Sequence, residues 1–210
     1  MIQMQLVKAD GKAEYALLEQ LAARSGEVDR QVTAAVTEII DTVRRDGDAA
    51  VREYTRRFDG VDAPLRRISR QELAEMAAGC EETVYAALQR AADNIRDFHQ
   101  RQVQQSWLTT KEDGTILGQR IRGLSRVGVY VPGGTAAYPS SVLMNAIPAR
   151  IAGVEEIVMV TPLPKNGDFN ADVMAAAYIA GVDAVYLCGG AQAVAALAYG
   201  TETIPKVDKI

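Results

Sequence analysis

Apolar side chains recur at three- and four-residue spacing through much of the first hundred positions. Val32, Ala35, Val36, Ile39, Ile40 and Val43 form one stripe, and Gly47 follows as a stop. After Asp48, an N-cap by residue type, Val51, Tyr54, Thr55 and Phe58 repeat the spacing up to the Asp59-Gly60 break. Ser69 and Glu72 have the spacing of a capping box. Beyond them, Leu73, Met76 and Ala77, then Val84, Ala87, Leu88, Ala91, Ile95 and Phe98, mark further helical faces. The pattern predicts an essentially helical amino-terminal region.

The texture changes at Trp107. WLTT, KEDG and TILGQRI read as a two-stranded hairpin turning at Asp113-Gly114. A boundary near Leu124 then divides a mostly helical region, 1–124, from a second domain, 125–210. From there, apolar strands alternate with helices: strand 127–131, helix 141–151, strand 157–160, helix 171–180, strand 185–188 and helix 191–199. Gly153, Gly181 and Gly200 each stand just past a helix, where a residue without Cβ takes the left-handed conformation most easily. Pro148 falls inside the first of these helices and predicts a kink that frees the carbonyl of Met144. Val207 and Ile210 read as the opening of another strand. Three β-α units in succession imply a parallel sheet. The fold class is therefore α/β, with a helical amino-terminal region and β-hairpin followed by an incomplete, Rossmann-like parallel βαβαβα domain.

In such a sheet, ligands bind outside the carboxyl ends of the strands. That directs attention to loops 131–141, 161–169 and 188–192. The first runs YVPGGTAAYPSS, with glycines that let a ligand approach the backbone. Ser140 or Ser141 caps the following helix, or the helix start receives an anion; the pattern allows both. In the third loop, CGGAQ, Gln192 is either a ligand-binding amide or a solvent-facing first-turn residue. Neither loop is a G-x-G-x-x-G fingerprint, and Val160-Thr161-Pro162 lacks the acidic residue that reads an adenosine ribose. Standard Rossmann binding of NAD is not predicted.

Composition narrows the function classes. Apolar residues are 48% of the chain and charged residues 24%, the balance of a folded globular protein. The net charge of -4 provides no basic face for nucleic acid. No apolar run approaches the length of a membrane span and the start lacks signal-peptide character, so the expected location is the cytoplasm. Cys80 and Cys188, the two cysteines, read as reduced packing residues. His99 is the one histidine, and no metal constellation or catalytic triad assembles around it.

Three segments resemble one family. RVGVYVPGGTAAYPSSVLMNAIPARIAGV, CGGAQAVAALAYGTETIPKVDKI and YTRRFDG are similar, in order, to histidinol dehydrogenases. That resemblance implies oxidation of L-histidinol to L-histidine through histidinaldehyde, with NAD as hydride acceptor at a zinc-containing site. It implies NAD contacts at Tyr130 and Gln192, a loop shaped by Pro132, Gly133 and Gly134, and Ser140 near the substrate. The family's zinc ligands and acid-base residues lie in a following half with no counterpart here. The resemblance therefore assigns no catalytic or metal-binding residue to this chain and makes it a truncated form, inactive alone. The apolar ending VDKI fits a fragment. The alternative is a stand-alone, non-catalytic nucleotide-binding or dimerisation module. Family members are homodimers, so a second copy of the chain is the expected macromolecular partner.

Overall fold

Asp10 starts the first helix by accepting the backbone N–H groups of Lys12 and Ala13 on Oδ1, both at 2.9 Å. Glu14 reaches back to the N–H groups of Asp10 and Gly11. The resulting helix α1 (Ala13–Gly26) rests on this reciprocal capping, which apolar spacing alone does not reveal. The computed structural model describes residues 6–26, 30–132, 138–164 and 169–210. They divide into two compact units, Met1–Glu38 and Ile39–Ile210.

Helix α2 (Arg30–Asp59) contains both helices expected between Val32 and Phe58. Its path breaks at Gly47, with φ 55° and ψ −131°, and resumes at once. Asp48 does not cap the restart. Its carboxylate accepts the Thr203 hydroxyl and, at 3.3 Å, the Thr203 N–H. The N–H of Asp48 in turn donates to Glu202 Oε2 at 2.8 Å. A carboxylate 154 residues downstream thus supplies the cap, and the local one is spent on a tertiary contact.

Strand β1 (Arg67–Ser69) is an element that the essentially helical reading of the first hundred residues did not include. Three residues are too few to show a period in sequence. Helix α3 (Arg70–Ala77) follows, with the predicted capping box complete: the N–H of Glu72 donates to Ser69 Oγ, and that of Ser69 to Glu72 Oε2 at 2.8 Å. The Ser69 N–H first, then the Ser69 hydroxyl and Arg66, hold the Glu72 carboxyl below its ordinary pKa. Helix α4 (Glu82–Gln100) leads to β2 (Trp107–Thr110) and β3 (Ile116–Gln119), paired antiparallel as Trp107↔Gln119 through Thr110↔Ile116. The predicted Asp-Gly turn closes this hairpin, with Gly114 at φ 83°.

The β-α alternation appears as predicted: β4 (Arg126–Tyr130), α5 (Pro139–Ile151), β5 (Glu156–Thr161), α6 (Ala171–Ala180), β6 (Ala184–Leu187) and α7 (Gly190–Tyr199). Helix α5 runs through Pro148 to Ile151. Gly181 ends α6 in the left-handed conformation, and Gly153 and Gly200 also take positive φ. The sheet order is β1-β6-β5-β4, with β6, β5 and β4 parallel and β1 antiparallel at one edge. On the far side of β4, Lys209 bridges in parallel to Val127, so 207–210 does begin a strand-like pairing. The chain therefore continues on the opposite side of its first parallel strand, the arrangement that opens a crevice at that strand's carboxyl end.

Both sheet faces are covered. Ile157, Met159, Val185 and Leu187 pack with residues of α3, α4, α5 and α6. Val158, Val160, Ala184 and Tyr186 pack instead with Ile39, Val43, Val51 and Tyr54 of α2 and with Leu197 of α7. Residue 124 falls inside this unit, since β1, α3, α4 and most of α2 precede it and enclose the same sheet. Asp48→Ala is expected to destabilise the fold by about 1.5–3 kcal/mol, the usual size of a lost hydrogen bond to a charged group. Denaturant unfolding checks this, the midpoint falling while the slope stays unchanged.

Candidate functional site at the carboxyl ends of strands β4 and β6

Strand β4 ends at Tyr130, whose ring is partly exposed, and the chain is then anchored by the Val131 N–H on the carbonyl of Val160 at 3.0 Å. Pro132 is exposed. Gly133 and Gly134 lie outside the described residues. Where the structure resumes, Tyr138 is the N-cap of α5 and makes no side-chain cap, while Pro139 occupies the first turn. The helix begins two residues earlier than the apolar pattern suggests, because proline is pre-set for this position and needs no hydrogen-bond acceptor. Neither Ser140 nor Ser141 is therefore the cap. Ser140 is an exposed residue of the first turn.

Strand β6 leads through buried Cys188 into Gly189 and Gly190. The two glycines are required for different reasons. A Cβ on Gly189 would overlap the ring of Pro162, which fills the space beyond the end of β5. Gly190 has φ 66°, and a Cβ there would lie 2.6 Å from Gln192 Oε1. The Gly190 N–H donates to Tyr130 Oη at 3.3 Å, tying the first loop to the third. Tyr130 and Gln192, far apart in sequence, thus flank one backbone segment.

Gln192 is the unusual residue. It is 1% exposed, which removes the reading of a solvent-facing first-turn side chain. Its Oε1 is buried and has no hydrogen-bond partner among the described residues. An unpaired buried acceptor costs about 1–3 kcal/mol, so proteins keep such a group where something else completes it. It sits in the first turn of α7, a ten-residue helix whose start carries no side-chain cap. The site combines an acceptor with the positive end of a helix dipole.

The other candidates stand apart from it. His99 Nδ1 lies 2.7 Å from Gln102 Oε1, and His99 lines a cavity of about 350 Å³ with Ile121, Arg122 and Pro148. Among the described residues, no three His, Cys, Asp or Glu side chains group as metal ligands, and no helix is long and apolar enough to cross a membrane. Burial pushes the Cys188 thiol up to about 12, with Asp48 and Asp59 adding to the effect. Cys80 is half-buried, and its thiol is raised by burial and then by its contact with Asp172 Oδ1 at 3.3 Å.

Residues 22–210 match the family model of histidinol dehydrogenase. The chain belongs to this family. It is 51% identical over 209 residues to the histidinol dehydrogenase of Syntrophotalea carbinolica, covering 99% of this chain and 48% of that one. It is 56% identical over 176 residues to that of Geobacillus kaustophilus, covering 84% and 42%. The crystal structure of histidinol dehydrogenase from Elizabethkingia anophelis superposes with a TM-score of 0.80 at 32% identity, over 88% of this chain and 42% of that one. The chain thus spans somewhat under half the length of the histidinol dehydrogenases it matches, and the parallel sheet with its covering helices is histidinol dehydrogenase structure.

A thiol reacts as its thiolate, so burial at Cys188 suppresses the reactive form at neutral pH. Iodoacetamide at pH 8 is expected to label Cys80 well before Cys188 in the folded chain, as read by peptide mass spectrometry. Prior labelling of Cys188 would contradict the burial described here.

Proposed function

We propose that this chain is the nucleotide-binding portion of an NAD-dependent histidinol dehydrogenase, an oxidoreductase converting L-histidinol to L-histidine through histidinaldehyde in histidine biosynthesis. The observation that carries this reading is the buried Oε1 of Gln192, without a partner among the described residues, beside the Tyr130–Gly190 hydrogen bond. A polar cofactor edge satisfies that acceptor, and the phenol of Tyr130 fixes the adjacent backbone. By resemblance to the family, Pro132, Gly133 and Gly134 belong to the cofactor site and Ser140 to the substrate site. NAD, bound there, would supply the hydride acceptor for each of the two successive oxidations. This chain's own contribution is to hold and orient that acceptor.

The Pro162–Gly189 contact supports a binding mode unlike the usual dinucleotide fold. Proline occupies the end of β5, where an acidic residue would meet an adenosine ribose.

Zinc does not fit the residues present. The described residues contain no group of three metal-ligating side chains, and His99 serves a different cavity. Alcohol oxidation also needs a base for the hydroxyl proton. We therefore assign zinc and the acid-base groups to the part of the family's length that this chain does not span, and propose that the chain alone is inactive. The working enzyme is a cytoplasmic homodimer in this reading. Apolar Trp107, Leu108, Ile116 and Leu117 on the exposed hairpin favour association with a second copy. Light scattering is expected to show concentration-dependent association, and a clean monomer at high concentration would refute it.

The deciding measurement is NAD reduction with L-histidinol and zinc, by this chain and by the polypeptide read on to the gene's stop codon. Activity is expected only in the longer polypeptide. Within it, Gln192→Ala and Tyr130→Phe should raise the KM for NAD about tenfold or more, the scale of a lost hydrogen bond to a buried group. An unchanged KM for NAD in both variants would remove these residues from the cofactor site.

A further inference from the structure

At the opposite, amino-terminal end of the parallel strands, an open cleft of about 470 Å³ is lined by Arg70, Arg96, Arg150 and Asp183, with Ile147 and Ile179 among its apolar walls. The three arginines come from α3, α4 and α5 and converge on the end of α6. Arg96 Nη2 donates to the carbonyl of Ile179 at 2.7 Å, Arg150 Nη2 to that of Gly181 at 2.6 Å, and Arg70 Nη1 to that of Val182 at 3.1 Å. They thereby satisfy carbonyls at and just past a helix end, where positive charge is favoured.

Capping does not exhaust them. Arg150 is the most committed, donating also to the carbonyls of Val154 and Glu155 and, at 2.5 Å, to Asp183 Oδ2. Arg96 spends one further bond on Asp93 at 2.8 Å. Arg70 lays its guanidinium over the ring of Tyr178, 4.9 Å from the centroid. A guanidinium carries five N–H donors, so Arg70 and Arg96 keep donors beyond those bonds. Three guanidinium charges line the cleft against the single carboxylate of Asp183.

We propose that this cleft is a binding site for a small oxyanion, of the phosphate or dicarboxylate class, held by Arg70 and Arg96 and positioned by Arg150. Forked guanidinium donors match the oxygens of such anions, and the three guanidinium charges exceed the two carboxylates, Asp183 and Asp93, that pair with them. Bound there, the anion joins α3 and α4 to the end of α6 and stabilises the covering layer on that sheet face.

The test is thermal unfolding of this chain in chloride, phosphate or succinate at matched ionic strength, with 31P line broadening of inorganic phosphate as a second measurement. A saturable rise in Tm with phosphate and broadened 31P signals are expected for the phosphate source. A saturable rise with succinate alone would identify the carboxylate source. Arg70→Gln and Arg96→Gln should each weaken the apparent affinity at least tenfold. The anion-induced increment is the quantity read, so a lower starting Tm in a variant does not obscure it. No saturable increment with either anion, or increments retained in both variants, would overturn the proposal.

Discussion

A parallel strand cannot leave a face in water, and this constraint governs the molecule. Strands β5 and β6 are apolar at successive positions, from Ile157 to Val160 and from Ala184 to Leu187, so each needs cover on both sides. The crossover helices α5 and α6 cover one face. On the other, α7 and the second half of α2 share the task. The path of α2 breaks at Gly47, and Glu202 accepts the N–H of Asp48 where it resumes. The acidic pair Asp48 and Glu202 is the polar counterpart of this packing, joining α2 to the segment that follows α7.

Period was legible where a long element carries an apolar stripe. The helices within α2 and the capping box of α3, like the hairpin and the β-α alternation, all follow from apolar spacing and turn residues. Strand β1 was hidden because its three residues pair through backbone atoms with β6, as Ile68↔Val185, and only Ile68 is fully buried. Helix α1 was hidden because its start is written in Asp10 and Glu14, not in an apolar stripe. Asp48 misled because a residue type that favours capping is equally good at accepting a distant hydroxyl and N–H.

For the site, sequence showed the glycine pair after β6 but not why both glycines are needed. Pro162 and Gln192 press on them from different directions, and neither relation can be seen without the fold. The burial of Gln192 was likewise not readable, since first-turn residues are usually wet. Resemblance to the family singled it out where spacing could not. The arginines at the other end of the sheet show the same limit: Arg70, Arg96 and Arg150 occupy three helices and converge only when those helices pack on α6.

The parallel bridge between Val127 and Lys209 bears on the order in which the molecule can assemble. Arg126 and Asp208, beside that bridge, are 82 residues apart, whereas β4, β5 and β6 pair with nearer neighbours along the chain. During synthesis β4 therefore waits as an exposed sheet edge until the last residues of this segment leave the ribosome. An unpaired edge of this kind invites pairing with other nascent chains. The N–H of Arg126, held by the Asp208 side chain at 2.9 Å, and that of Gly128, held by the Lys209 carbonyl at 2.8 Å, are the first cover of this edge. A chain halted just short of Asp208 would keep its helices and most of its core, yet lose this first cover of the β4 edge.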